Sequence, residues 1–199
     1  MITIVSGLPR SGTSLMMQML AAGGLTPLTD GVRVSDINNP RGYFEWEKIK
    51  QLPNDPASIA EAEGKAVKVV SALLRNIPSG HQYRIIFMRR SLEEVVASQG
   101  QMIKQLGTSG APMPNAATMA AFETHLRQVS AWLESRREIA VCRVEHGSLL
   151  GAPHQEATRI REFLNLPLDV EAMARQVDIS LHRQRATALK VGSAEAASC

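Results

Sequence analysis

Four short runs of apolar and β-branched residues, Ile2–Val5, Ala66–Val70, Arg84–Met88 and Ile139–Val144, stand apart from longer stretches whose apolar positions recur every three to four residues. Short, nearly continuous apolar runs mark strands buried on both faces, and the longer period marks helices with one apolar stripe. The helices so predicted are Ser14–Ala22, Ser91–Leu106, Thr118–Arg137, Gln155–Leu164 and Val170–Val177. Strands that alternate with helices build a parallel sheet, since each helix carries the chain back to start the next strand. The predicted fold class is therefore α/β, a single-domain three-layer fold with a central parallel sheet flanked by helices. Ser91 and Glu94 have the spacing of a capping box at a helix start. Met16, Met17, Met19 and Leu20, at helical spacing, read as core. Gly107–Asn115, rich in Gly and Pro with no apolar period, reads as a loop. The domain is expected to span residues 1–191, with 192–199 a small, polar, flexible tail.

The first strand breaks at Gly7, and the chain turns through Pro9 and Gly12 before entering the first helix. A strand, a glycine loop and a helix start in that order form a phosphate cradle, because loop N–H groups and the positive helix end point at one place. The spacing Gly7…Gly12-Thr13-Ser14 fits the P-loop pattern GxxxxGK[ST], with Thr13 where the lysine should stand. In nucleoside-triphosphate hydrolases and kinases that lysine neutralises the β- and γ-phosphates, and the next hydroxyl holds Mg²⁺. Here the nearby cation is Arg10. Such a loop suits an anion with a less charged transferable group and no obligatory metal.

A second anion-binding pattern follows the third strand. Arg89 and Arg90 lie at its carboxyl end, where open parallel sheets bind their ligands. Ser91, Val95 and Ser98 fall on one helical face, so Arg90 and Ser98 can converge on one anion.

Composition narrows the partners. The 199 residues are 44% hydrophobic and 21% charged, enough for one domain with a sizeable core. A net charge of +3 suits an anionic ligand, but aromatics are only 4% and basic residues form no run, which argues against nucleic acid. Cys142 and Cys199 make neither a disulfide framework nor a zinc site. No apolar run reaches membrane-spanning length, and the first strand leaves no room for a signal peptide, so a cytoplasmic setting with no membrane partner is expected.

The loop Pro9-Arg10-Ser11-Gly12-Thr13-Ser14 resembles the 5′-phosphosulfate loop of the sulfotransferase superfamily, whose members carry Pro-Lys/Arg-Ser-Gly-Thr-Thr/Ser here. Arg90 and Ser98 resemble its 3′-phosphate motif Arg-x-Pro-x-x-x-x-x-Ser, with Leu92 at the proline position. The stretch Ile139–Leu150 followed by Ile160–Leu166 resembles the family's late strand and the "I-x-x-FLGL" helix, Val144-Glu145-His146-Gly147 replacing Tyr-Glu-Asp-Leu. Together these cover roughly Ile2 to Leu166.

The resemblance implies a P-loop NTPase-like fold and a metal-independent, in-line transfer of a sulfuryl group from 3′-phosphoadenosine-5′-phosphosulfate. The acceptor would be a hydroxyl or amine on a small molecule or carbohydrate. Pro9, Arg10, Ser11, Gly12, Thr13, Ser14, Arg90 and Ser98 would bind the nucleotide, Arg10 also steadying the leaving group. Lys68, a catalytic candidate with Arg10, lies in the strand that carries Lys-Thr-His in cytosolic members, but the family's catalytic histidine falls at Val70 and is absent. Some bacterial, carbohydrate and tyrosyl-protein members use a glutamate from the region after the P-loop helix, which points to Glu45, with Glu47 second. Phe44 and Trp46 on either side are expected to desolvate the Glu45 carboxylate and raise its basicity. His81, His125 and His146 show no partner pattern and read as surface or packing residues. Two rival readings stay open: a P-loop small-molecule kinase, and a non-catalytic nucleotide-binding module. The acceptor pocket is assigned to Thr26–Asn39 and Gly107–Asn115.

Overall fold

β1 (Ile2–Gly7) runs along the middle of a five-stranded sheet, between β3 (Ala66–Val70) and β4 (Tyr83–Arg89), with β2 (Pro27–Leu28) and β5 (Ile139–Glu145) at the edges. All four pairings are parallel, and the order is β2-β3-β1-β4-β5. The computed structural model describes residues 1–32, 42–106 and 116–178. The sheet and its flanking helices are the α/β architecture expected from the alternating pattern.

Burial on both faces explains why β1, β3 and β4 read as mostly apolar runs, whereas the edge strand β5 alternates buried and exposed positions. On one face Ile2, Ile4, Val67, Val69, Ile85 and Phe87 pack under α3 (Ala116–Glu134) and the segment holding Trp46, Ile49, Leu52 and Ile59. On the other, Val5, Ala66, Ile86, Met88, Cys142 and Val144 pack against α1 (Thr13–Ala22), α5 (Pro153–Leu164) and α6 (Val170–Ala174). Met16, Met17, Met19 and Leu20 are fully buried in that second layer, as core.

Several elements depart from the sequence pattern for local reasons. β2 has only two residues and begins with proline, too short to leave a period. β5 passes straight into α4 (His146–Gly151), so residues that resembled a strand tail are helical. α6 stops at Ala174 rather than Val177, because Gln176 and Val177 donate to Met173 and Ala174, three residues back, and tighten the last turn. α3 stops at Glu134, where Ser135 Oγ donates to the Trp132 carbonyl at 2.7 Å and competes with the helical pattern. Three 3-10 segments, Glu47–Gln51, Pro56–Ala62 and Ser71–Asn76, were not anticipated. The capping box of α2 (Leu92–Leu106) is half formed: the Glu94 N–H donates to Ser91 Oγ at 3.3 Å, but the Glu94 carboxylate turns to Arg90. The Gly107–Asn115 loop, residues 33–41 and everything beyond 178, including the expected tail, lie outside the described residues.

Candidate functional site

The site is built at the carboxyl ends of β1, β3 and β4. At the end of β1, Gly7 has φ +150°, and a Cβ there would come within 2.6 Å of the Met88 carbonyl oxygen on β4. Strand and loop therefore pass closer than any side chain allows. The chain then turns, the Ser11 N–H donating to the Leu8 carbonyl at 3.2 Å, with Arg10 at φ +70° and Gly12 at φ +100°. Two left-handed residues within three positions fold the loop back over the start of α1. α1 begins at Thr13 with no side-chain cap and no acid in its first turn. Its first N–H groups are thus left for something other than this helix's own side chains. Ser11 Oγ is buried and has no hydrogen-bond partner, a cost that a bound anion would remove.

Three of the residues singled out by sequence meet at this loop. Arg10 Nε donates to Ser98 Oγ at 2.9 Å across 88 positions of sequence. Arg90 Nη1 donates to the Arg10 carbonyl at 3.2 Å across 80 positions. Arg90 Nε also donates to Glu94 at 2.7 Å. Two guanidinium groups and a hydroxyl are thereby gathered beside an uncapped helix start. From Ser11 and Arg90 a cavity of about 530 Å³ extends along the ends of β4 and β5, walled by Leu8, Phe87, Ser91 and Arg127.

On the other side of the loop, Lys68 sits in β3 opposite Val5. It is 7% exposed, donates to the Tyr43 carbonyl, and its Nζ lies 3.7 Å from Glu45 Oε1. A buried ammonium so far from water needs such partners. The backbone around Glu45 is anchored as well. Thr29 Oγ1 and the Asp30 N–H both donate to its carbonyl, and Asp30 Oδ2 accepts from the Glu47 N–H at 2.6 Å. That last bond, then one from the Val32 N–H, holds the Asp30 carboxyl below the usual carboxylate range.

The surroundings expected for Glu45 are different in the structure. Trp46 turns into the core under α3 and Phe44 packs against the opposite layer, so the carboxylate meets the Lys68 cation rather than an apolar wall. Glu47 opens a 3-10 turn and pairs with Lys50 at 2.7 Å, a solvated role. Pro9 is exposed at the tip of the loop, while Thr13 is 8% exposed, its side chain directed into the fold.

Two histidines have more defined places than the sequence suggested. His125 of α3 lies 2.9 Å by its Nε2 from Ser71 Oγ, at the first residue after β3. Burial, and then the Arg75 charge, lower its pKa and favour the neutral ring. His146, at the start of α4, is buried against the loop: a Cβ on Gly12 would lie 2.6 Å from its Cδ2. Neither position carries a local sequence signal, because each is made by contact between distant elements. Glu94 did carry one, its spacing of four from Arg90 across the start of a helix.

No protein-family model matches the sequence, and no curated protein matches it. Among solved structures, the sulfotransferase domain from the curacin biosynthetic pathway is similar over 86% of this chain and 76% of its own length, with 17% identity and a TM-score of 0.53. An unliganded sugar kinase from a Janibacter species aligns over 83% of this chain and 95% of its own length, with 15% identity and a TM-score of 0.39. The first likeness shows a shared fold; the second is too weak to establish one.

Proposed function

We propose that this chain is a sulfotransferase that takes its sulfuryl group from 3′-phosphoadenosine-5′-phosphosulfate and passes it to a hydroxyl or amine of a small-molecule or carbohydrate acceptor. The observation that carries the reading is the convergence of Arg10, Arg90 and Ser98 on one loop. A cradle for a single phosphate needs only the loop and the helix start. A second arginine and a hydroxyl held on α2 provide for a second anionic group on the same ligand.

In this reading the N–H groups of residues 11–14 and the orphaned Ser11 hydroxyl hold the 5′ end of the nucleotide. Arg90 and Ser98 hold the 3′-phosphate, and the cavity beyond Arg90 takes the nucleoside. The donor supplies an electrophilic sulfur joined to phosphate through a bridging oxygen. As the acceptor oxygen or nitrogen bonds to sulfur, the bond from sulfur to the bridging oxygen breaks and its electron pair stays on the nucleotide. Arg10 meets the negative charge that gathers there. Glu45 takes the acceptor's proton, and Lys68, buried behind it, keeps that carboxylate aimed at the loop. Every one of these roles is played by this chain's own backbone and side chains, and none routes through a metal.

The kinase reading has less support in the residues. Thr13 replaces the phosphate-binding lysine, and β3, Ala66-Val67-Lys68-Val69-Val70, does not end in an aspartate that could hold Mg²⁺. The deciding experiment is a thermal-shift comparison of adenosine 3′,5′-bisphosphate, 5′-AMP and ATP·Mg²⁺, since a ligand that binds only the native state raises its melting temperature. The bisphosphate should stabilise well beyond 5′-AMP, and Arg90→Ala should erase the difference. Equal stabilisation by the two nucleotides in the wild type would overturn the proposal, and preferential stabilisation by ATP·Mg²⁺ would favour a kinase.

A further inference from the structure

Arg90, the residue that would distinguish a 3′-phosphate from a bare 3′-hydroxyl, is already paired. Its Nε donates to Glu94 Oε2 at 2.7 Å, with the two side chains only 10% and 14% exposed. Its Nη1 donates to the carbonyl of Arg10 at 3.2 Å. Glu94 has another job open to it, since its spacing from Ser91 suits a capping box. It does not take that job. The Glu94 N–H donates to Ser91 Oγ at 3.3 Å, but its carboxylate pairs with Arg90, four residues back.

The pairing has two effects that pull in opposite directions. It fixes the guanidinium, which otherwise swings on a long, flexible stem. It also places a negative charge next to the arriving phosphate, in a place too shielded for solvent ions to screen it well. The second effect matters because donor and spent nucleotide carry the same 3′-phosphate. An unopposed arginine would grip both equally, which adds nothing to the chemical step and slows product release.

We propose that Glu94 is a positioning and tuning residue: it aims Arg90 at the 3′-phosphate while countering part of its charge, so that recognition stays selective without becoming irreversible. The inference rests on the assignment of Arg90 under the proposed function. It adds a residue with a separate, measurable role.

Glu94→Gln separates the two effects, because the amide oxygen can still accept from Arg90 Nε while the charge is gone. Calorimetric titration should show adenosine 3′,5′-bisphosphate binding about tenfold tighter to this variant, the size expected for one like charge removed near a partly shielded phosphate. Binding of 5′-AMP should stay within about twofold. Glu94→Ala, which loses the clamp as well, should bind the bisphosphate less tightly than Glu94→Gln. Glu94→Asp keeps the charge and shortens the reach, so it must not tighten binding at all. The proposal is overturned if Glu94→Gln binds the bisphosphate no tighter than wild type, if both nucleotides tighten equally, or if Glu94→Asp tightens; the aspartate arm decides should the glutamine variant not fold. A wild type that fails to prefer the bisphosphate over 5′-AMP would instead dispose of the Arg90 assignment, a result visible before any Glu94 variant is made.

Discussion

Gly12→Ala is the sharpest test of how the anion loop is built. Gly12 has φ +100°, and an added Cβ would sit 2.6 Å from His146 Cδ2 and 3.4 Å from Met88 Cε. Holding an L-residue in a left-handed conformation costs about 1–2 kcal/mol. Forcing a methyl group into a packed contact costs typically about 1–3 kcal/mol more, because His146 is buried and has little room to retreat. Gly24 provides the control: its φ of +99° nearly equals that of Gly12, yet a Cβ there meets nothing within 4 Å. Gly24→Ala should therefore show the conformational part alone, and Gly12→Ala should exceed it. For a chain of this size each kcal/mol lowers the melting temperature by roughly 2–4 °C, so circular-dichroism melts can resolve the two. The clash also displaces the Thr13 N–H from its cradle, so the bisphosphate should bind at least about tenfold more weakly to Gly12→Ala, and about as wild type to Gly24→Ala. Adding His146→Ala should recover part of the steric term and none of the conformational one, giving a coupling energy between positions 12 and 146. The reasoning fails if Gly12→Ala melts with Gly24→Ala, or if it binds the bisphosphate as wild type does.

Arg10→Ala should lose on the order of 10²–10³ in transfer rate while Arg10→Lys keeps part of it, measured with labelled donor in the presence and absence of EDTA, which should change nothing. Glu45→Gln should leave bisphosphate binding intact and lower turnover by about 10²–10⁴, with Glu47→Gln doing far less; a dead His125 variant beside an active Glu45→Gln would move the base to α3. Lys68→Met leaves the Glu45 carboxylate and the Tyr43 carbonyl without their buried partner, so it should lower the melting temperature and also slow transfer by releasing Glu45. His125, whose folded pKa lies below its ordinary value near 6.5, binds protons less readily in the native than in the unfolded chain. Its contribution to stability is whole above that value and is lost as pH falls through the folded pKa, so chemical denaturation from pH 8 to 5 should show a decline that His125→Gln reduces.

The sheet was legible because its information is local. Each of β1, β3, β4 and β5 carries its own mostly apolar run; burial on both faces keeps β1, β3 and β4 rich in apolar residues, while the edge strand β5 alternates buried and exposed positions. The boundaries were less legible because they depend on which hydroxyl or carbonyl takes the next hydrogen bond, as Ser135 does at the end of α3. β2 lay beyond any periodic reading, being fixed by its pairing with Ala66 and Val67 rather than by its own two residues.

The site divides along the same line. Arg10 and Ser98 were readable from spacing because a loop after a strand and a face of a helix are local constructions, and the sheet order then brings them within 2.9 Å. The surroundings of Glu45 were misjudged because flanking residues in an irregular segment need not share a side. Trp46 and Phe44 went to opposite core layers, and what came to the carboxylate was Lys68, twenty-three positions on in sequence. The ammonium takes up part of the carboxylate's charge and in return fixes its direction, and orientation is what the proposed in-line transfer asks of this residue. The same trade is visible on the far side of the loop. Arg90 has part of its charge countered by Glu94, and in return its guanidinium is fixed against the Arg10 carbonyl. Both halves of the site therefore hold a charged group by an opposite one set behind it, so the residue that faces the ligand and the residue that orients it have to be read as a pair.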